Sequence, residues 1–277
     1  MSSMLKLLAI VALLSSLTYA ESTSEKLEDF LTSEFEDNPR LKSVEVKVGD
    51  IVPLKDLKGW NAYVVNVQAV LNEKPKDTIH QKMIWFSDGK IITKELTNMI
   101  NGQNLAELVK PDFKPSYYSK KNLIYGNANA KHKVAIFSDP LCPFCKGFVP
   151  GAIKDMKKDP KKFAIYYYHF PLPRLHPAAV VLVQAAAAAE HKGFKNVVLK
   201  MYNVKVNAKE TNPKIILAAF NKAVGSNVSV ADLKNPAVIK QVKFDAEVAS
   251  NLMVGGTPTL YLDGKIDNTK KKYQKIK

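Results

Sequence analysis

Two cysteines, Cys142 and Cys145, are the only cysteines of this 277-residue chain. They come just after the apolar run at residues 134–137, which predicts a buried strand, and before a segment that predicts a helix. The N-terminus of a helix favours the thiolate of the first cysteine. A pair at this spacing can close an intramolecular disulfide and open it again, whereas a set of structural disulfides would scatter several cysteines. The pair therefore predicts thiol–disulfide exchange.

The first twenty residues predict a cleavable secretory signal. Lys6 supplies a basic start, residues 7–17 are mostly apolar, and small residues flank Tyr19. The apolar run is shorter than the roughly 20 residues that a spanning helix needs, although an uncleaved anchor is an alternative. We therefore expect a mature chain from Glu21 onward in an oxidising compartment. There a lone cysteine pair is better explained as a redox centre than as a structural disulfide.

The formal net charge of the chain is +15, and its lysines are spread along the sequence. They are not interleaved with the aromatic residues of a base-stacking motif. The charge therefore predicts a solvated basic surface and no binding of nucleic acid.

Hydrophobic periodicity divides the mature chain into two domains. Residues 21–110 contain one amphipathic helix followed by alternating strand patterns, which is typical of an α+β domain. Because no catalytic constellation occurs there, we interpret this domain as a dimerisation or client-holding module. Residues 111–122 carry prolines, tyrosines and lysines and are predicted to be a linker. Residues 123–277 then predict an α/β domain, with helices over about 176–252.

A proline opens the last clear strand of the second domain. Gly255, Gly256, Thr257 and Pro258 come directly before the strand pattern at residues 259–262. A proline at the start of a strand is unusual because it cannot donate to the hydrogen-bond ladder.

The segment Asp139-Pro140-Leu141-Cys142-Pro143-Phe144-Cys145-Lys146, taken with Gly256-Thr257-Pro258-Thr259, resembles the bacterial periplasmic disulfide-bond proteins of the thioredoxin superfamily. The Asp-Pro lead-in and the N-terminal sheet domain are similar to the dimeric isomerase branch, DsbC and DsbG. The segments at residues 169–172 and 176–177 are also similar to DsbA-like oxidases. The resemblance implies a thioredoxin fold with an inserted helical subdomain, a cystatin-like N-terminal dimerisation domain, and a cis proline at 258 lying against the cysteines.

The two cysteines are expected to have different roles. Cys142, at the helix start, is predicted to be the exposed thiol of low pKa that attacks or is attacked. Cys145, one turn further, is predicted to be shielded and to resolve the mixed disulfide. Phe144 offers no positive charge to the Cys142 thiolate. We therefore expect a less acidic Cys142, and a less oxidising disulfide, than in a version with histidine at that position.

Four further residues are expected to contact substrate. Pro143 and Phe144 lie between the cysteines, while Thr257 and Pro258 are predicted to present backbone groups to an extended client segment. Asp139 has two interpretations. It could tune the pKa of a cysteine by proton transfer, or it could be a surface aspartate that starts a turn.

We interpret the chain as a periplasmic homodimer that isomerises or reduces disulfides in exported client proteins, with a DsbD-like membrane reductant. The alternative is a dimeric oxidase recharged by a DsbB-like, quinone-linked partner. A redox-inactive holdase chaperone and a copper-handling protein are alternatives of another class. No zinc spacing joins the cysteines to a histidine pair, so we expect no metal and no cofactor besides the redox-active Cys142–Cys145 disulfide.

Overall fold

A computed structural model of the chain describes residues 23–55, 57–159 and 161–276. The predicted secretory signal at residues 1–20 lies outside the described residues. The chain divides into two compact units, an N-terminal unit that ends at Lys110 and a C-terminal unit that begins at Pro111. In the part of the chain that the structure describes, no helix has both the length and the apolar character needed to cross a membrane.

The N-terminal unit consists of one helix and one antiparallel sheet. Residues 23–36 are helical and are called α1. Four strands follow in sequence and in spatial order, and they are β1 (Leu41–Pro53), β2 (Asn61–Leu71), β3 (Lys74–Ser87) and β4 (Ile92–Thr93). A 3₁₀ turn (Leu105–Leu108) and loops complete the unit up to Lys110.

The helix of this unit packs against the sheet through a narrow apolar stripe. Leu27 and Leu31 are four positions apart and therefore lie on one face of α1. Both are buried in a cluster with sheet residues that include Tyr63 and Trp85, which are partners across β2 and β3. Each buried leucine contributes about 1.5–3 kcal/mol relative to exposure in water. This composition is α+β, while the cystatin-like character and the role in dimerisation stay predictions.

The C-terminal unit contains a five-stranded sheet with the order β5-β7-β6-β8-β9. Its strands are β5 (Leu123–Tyr125), β6 (His132–Ser138), β7 (Phe163–His169), β8 (Thr259–Leu262) and β9 (Lys265–Ile266). Its helices are α2 (Pro143–Met156), α3 (Pro177–His191), α4 (Val197–Met201), α5 (Pro213–Val224), α6 (Val230–Leu233) and α7 (Pro236–Asn251). The central pair β6–β7 is parallel, and the other pairs are antiparallel. Helices α3 to α7 form an insertion between β7 and β8, so this unit has a thioredoxin-like α/β fold with a helical insertion.

Alternation along β6 and β7 sends side chains to two different cores. Ile136 and Tyr167 are opposite each other in the register and face the core that contains both cysteines and the alanine-rich helix α3. Phe137 and Tyr168 face the other core, where their rings stack with centroids 4.8 Å apart. The sheet thus separates a core rich in aliphatic side chains from one rich in aromatic side chains.

A candidate dithiol active site

The dithiol lies where the loop after β6 enters the first turn of α2. Cys142 is the N-cap residue of α2 and has extended backbone angles (φ −63°, ψ 123°). Pro143 occupies the first helical position, where the missing N–H removes no helical hydrogen bond. Cys145 lies one turn into the helix, on its buried side. Both cysteines are free thiols.

The strand register brings the segment around Thr257 to this loop. β8 runs antiparallel to β6, with Thr259 opposite Phe137. The residues just before β8 therefore lie beyond the end of β6, where the chain turns toward the cysteines. The Thr257–Pro258 peptide bond is cis. The thiol of Cys142 donates a hydrogen bond to the Thr257 carbonyl oxygen, with a sulfur–oxygen distance of 3.7 Å.

Cys142 is less accessible than the sequence predicted. Only 5% of the residue is exposed, so the expectation of an exposed thiol is wrong for this structure. The reason is that Cys142 packs in the core cluster with Leu141 and that the Thr257 carbonyl lies against its sulfur.

Cys145 is completely buried, with no exposed surface. Burial raises the pKa of its thiol to about 11 because the thiolate would lose its hydration. Polar groups of Ser138, Thr257 and Asp139 near the sulfur act in the opposite direction and lower this pKa. The Cys145 sulfur therefore lies in a dry site that nevertheless offers donors to a thiolate.

Asp139 is fully buried, so its interpretation as a surface aspartate is wrong. Its carboxylate accepts hydrogen bonds from the backbone N–H of Leu141 at 2.7 Å and of Leu172 at 2.8 Å. A third contact joins it to His176 Nδ1 at 3.0 Å. The carboxylate thus ties the loop before Cys142 to the loop after β7. Charged acceptors of this kind form stronger hydrogen bonds than neutral ones.

The residues expected to contact substrate differ in their exposure. Phe144 is 78% exposed beside the dithiol, and Pro143 is also exposed. Thr257 is half-buried, and Pro258 is buried. The exposed ring of Phe144 and the edge of the Thr257 segment leave apolar and backbone groups next to Cys142.

Sequence reasoning missed three hydroxyl groups of this site. Ser138 Oγ lies 2.6 Å from the hydroxyl oxygen of Tyr202, which lies 2.9 Å from that of Tyr167. Ser138 and Tyr167 fell within predicted strands, and the alternation of those strands could have placed both on the dithiol side. Tyr202 belongs to the helical insertion, and no local signal connects it with the cysteines.

Two histidines of the C-terminal unit, His169 and His176, lie in different surroundings. His169 is buried, and burial lowers its pKa from 6.5 to about 4. His176 contacts Asp139. Across residues 23–55, 57–159 and 161–276, no group of three or more histidine, cysteine, aspartate or glutamate side chains is arranged to hold a metal ion.

Sequence comparison gives one family and a set of partial relatives. A family model described as Thioredoxin matches residues 118–277. The Na(+)/H(+) antiporter NhaA 1 of Mycolicibacterium gilvum is 26% identical over 152 residues, which cover 53% of this chain and 24% of that protein. The protein of the same name from Mycolicibacterium vanbaalenii is 25% identical over 169 residues, 59% of this chain and 25% of that protein. The chain thus spans about a quarter of the length of these relatives.

Comparison with solved structures gives similar folds at low identity. BdbD from Bacillus subtilis is 18% identical with a TM-score of 0.48, covering 60% of this chain and 92% of that chain. The thiol-disulfide exchange protein alpha-DsbA2 from Wolbachia pipientis is 20% identical with a TM-score of 0.47, covering 59% and 89%. ScsC from Proteus mirabilis in a compact conformation is 21% identical with a TM-score of 0.44, covering 55% and 73%.

Proposed function

This chain belongs to the thioredoxin family, and we propose that it is a thiol–disulfide oxidoreductase whose reactive groups are Cys142 and Cys145. One observation carries the proposal: the dithiol opens α2, with the Cys142 sulfur against the Thr257 carbonyl and Cys145 buried behind it. Two thiols so unequal in position suit a nucleophile and a resolving group.

The exchange has two steps, each of which breaks one S–S bond and forms another. The Cys142 thiolate attacks a client disulfide, forms a mixed disulfide and releases one client thiolate, which takes up a proton. Cys145 then gives up its proton and attacks the Cys142 sulfur, closing the Cys142–Cys145 disulfide and releasing the second client thiol. The client gains two electrons and two protons, which the dithiol loses. The same steps in reverse oxidise a client.

Client segments are proposed to bind next to the dithiol. The exposed ring of Phe144 and the neighbouring Pro143 offer apolar contact, and the backbone at Thr257 and Pro258 suits pairing with an extended chain of varied sequence. This mode of binding would let one site serve many exported proteins.

The favoured direction is isomerisation or reduction, as in DsbC and DsbG. Phe144 supports this direction, because a neutral aromatic side chain between the cysteines does not stabilise the Cys142 thiolate as a histidinium would. We therefore expect a reduction potential below the roughly −120 mV of the strongly oxidising members. A dimeric oxidase with a DsbB-like partner is the alternative, and a DsbD-like reductant would serve the isomerase.

The proposed location is the periplasm, and the sequence of residues 1–20 supports it. The proposed assembly is a homodimer through the N-terminal unit. Sedimentation of a chain lacking residues 21–110 tests the assembly, since that protein should be monomeric.

The deciding experiment compares Cys142→Ala with Cys145→Ala in insulin reduction and in refolding of scrambled ribonuclease. Cys142→Ala should lose both activities because the attacking sulfur is gone. Cys145→Ala should still attack and should accumulate mixed disulfides with clients, which a non-reducing gel would reveal. Wild-type activity in Cys142→Ala would overturn the exchange function and favour a holdase.

The direction is tested in the cell by trapping the thiols. A mostly reduced Cys142–Cys145 pair would support the isomerase or reductase, and a mostly oxidised pair would support the oxidase.

A further inference from the structure

A cavity of about 370 Å³ opens on the C-terminal unit near the C-terminal end of α2, whereas the dithiol lies at the N-terminal end of that helix. Its wall is formed by the segment that leads into β5, by the ends of α2 and α3, and by residues 194–199. Ile153 in this wall lies eleven residues after Cys142, which is about 16 Å along a helix. The volume is that of a small-molecule site, so the cavity has room for a ligand that does not touch the cysteines.

The floor of the cavity is apolar. Ile153, Val197 and Val198 line it and are at most 3% exposed. Ile124 and Phe194 also line it and are half-buried against the same core cluster. Apolar surface of this kind suits the hydrocarbon part of a ligand, which is stabilised when it leaves water.

Four lysines line the same cavity, and they are Lys120, Lys121, Lys157 and Lys195. All except Lys157 are exposed, so their ammonium groups lie at the opening. The ammonium of Lys157 lies over the ring of Tyr125, with Nζ 4.9 Å from the ring centroid. Within the part of the chain that the structure describes, none of the four forms an ion pair with a carboxylate. Positive charges that are gathered at a concave surface and not neutralised attract an anion.

Glu190, near the end of α3, is the one acidic residue among the described residues that line the cavity. Burial raises the pKa of its carboxyl to about 8, so in neutral solution the group carries a proton. A protonated carboxyl does not repel an anion, and its O–H can donate a hydrogen bond. The charge that a ligand meets in this cavity is therefore that of the lysines.

We propose that this cavity binds an anionic amphiphile, which is a small molecule with one carboxylate or phosphate group on an apolar body. The apolar body lies on the floor formed by Ile153, Val197 and Val198. The anionic group lies at the opening, within reach of Lys121 and Lys195. Because the site is remote from the dithiol, it takes no part in the exchange steps, and the inference does not rest on the proposed exchange function.

The test is calorimetric titration of the full chain with four ligands that share an eight-carbon body. Octanoate and octyl phosphate carry the anionic group, octanol is neutral, and octylamine is a cation. The anion that binds more tightly identifies the preferred group. Both anions should bind at one site per chain, octanol should bind roughly 10-fold more weakly, and octylamine should show no binding.

Variants of the wall locate the site. Lys121→Glu and Lys195→Glu each replace an attraction by a repulsion and should raise the Kd of both anions by roughly 3- to 10-fold. Lys222→Glu is the matched control, because Lys222 is an exposed lysine of α5 outside the cavity and its substitution changes the net charge equally. Leu199→Trp adds bulk at the cavity wall without a change of charge and should abolish binding. If Leu199→Trp unfolds, as judged by thermal denaturation, the two exposed lysine variants still locate the site.

Three results would overturn the inference. Wild-type affinity for the anions in folded Leu199→Trp would place their binding elsewhere, and equal weakening by Lys222→Glu and Lys195→Glu would reduce it to attraction by the net charge. Binding of octylamine in place of octanoate would make Glu190 the ligand of a cation. Insulin reduction should keep its wild-type rate in Lys195→Glu, so that failure of the binding test leaves the exchange function standing.

Discussion

Two aspartates of the C-terminal unit, Asp139 in the loop before Cys142 and Asp245 on α7, are equally buried but have different partners. Neither has any exposed surface, and each accepts three hydrogen bonds. The partners of Asp139 are two backbone N–H groups from separate loops and the ring of His176. Asp139 thus joins segments that surround the dithiol.

The partners of Asp245 lie on β7, on α7 itself and in the segment before β5. Its carboxylate accepts from the side-chain amides of Asn122 at 2.7 Å and Gln241 at 2.9 Å and from the backbone N–H of His169 at 3.0 Å. These bonds lower its pKa, but burial outweighs them and raises the pKa to about 7. Equal burial therefore predicts two different roles: Asp139 holds loops at the site, whereas the raised pKa of Asp245 predicts a stability that depends on pH.

Of the variants that test this difference between the two aspartates, Asp139→Ala should have the largest effect. The substitution leaves two loop N–H groups and the His176 ring without their acceptor, and we expect the free energy of unfolding to fall by roughly 2–5 kcal/mol, since each buried donor left unsatisfied costs about 1–3 kcal/mol. The loop before Cys142 should also lose its position, so the reaction of the Cys142 thiol with Ellman's reagent should slow. Urea unfolding and stopped flow measure the two effects.

Asp267→Ala is the control for that prediction. Asp267 is 2% exposed and accepts from Thr269 Oγ1, Lys270 N and Lys272 N, close to the C-terminus. Its loss should also destabilise the fold but should leave thiol kinetics unchanged in the folded protein. If Asp139→Ala reacts as fast as Asp267→Ala, then Asp139 does not position the dithiol loop.

The second prediction concerns pH and is intermediate in size. A carboxyl whose pKa is raised on folding contributes stability that is present at low pH and is lost as the pH rises through the folded value. Asp245 (3.8 to about 7) and Glu190 (4.5 to about 8) act in this sense, while His169 (6.5 to about 4) acts in the opposite sense. Between pH 5 and 6.5 the folded chain therefore binds about one proton more than the unfolded chain. The free energy of unfolding should fall by roughly 1 kcal/mol per pH unit over this range.

Asp245→Asn is the variant that tests the source of this slope. It should flatten the decline in stability, measured by urea unfolding at pH 5, 6 and 7. At pH 5, where the wild-type carboxyl is itself neutral and carries an O–H, the variant should have a stability close to that of the wild type. Parallel pH curves for variant and wild type would show that Asp245 does not carry the effect.

The two aspartates also show which features of the site can be predicted from the sequence and which cannot. The Cys142–Cys145 pair, the strand before it and the strand after Pro258 could be placed because each leaves a local signature of spacing, periodicity or backbone chemistry. The burial of Asp139 could not be predicted, because its partners Leu172 and His176 come from a loop more than thirty residues later. The covering of Cys142 likewise depends on Thr257, which only the register of β8 brings to β6.

The smallest expected effect is that of Glu190→Gln. This variant tests the pH dependence at a second carboxyl, whose pKa is raised for two reasons. Burial raises its pKa to about 8, and the charge of Asp245 adds to the shift. At pH 4 the carboxyl is neutral in both folded and unfolded chains, so variant and wild type should have similar stability. As the pH rises to 8, both proteins lose the stability linked to Asp245, but the wild type should lose about 1 kcal/mol more than the variant, a small difference since part of Glu190 still contacts water. Glu247→Gln, at a side chain that is 57% exposed on α7, should show no such divergence in the same unfolding series. If the Glu190→Gln and wild-type curves stay together up to pH 8, folding does not raise the pKa of Glu190.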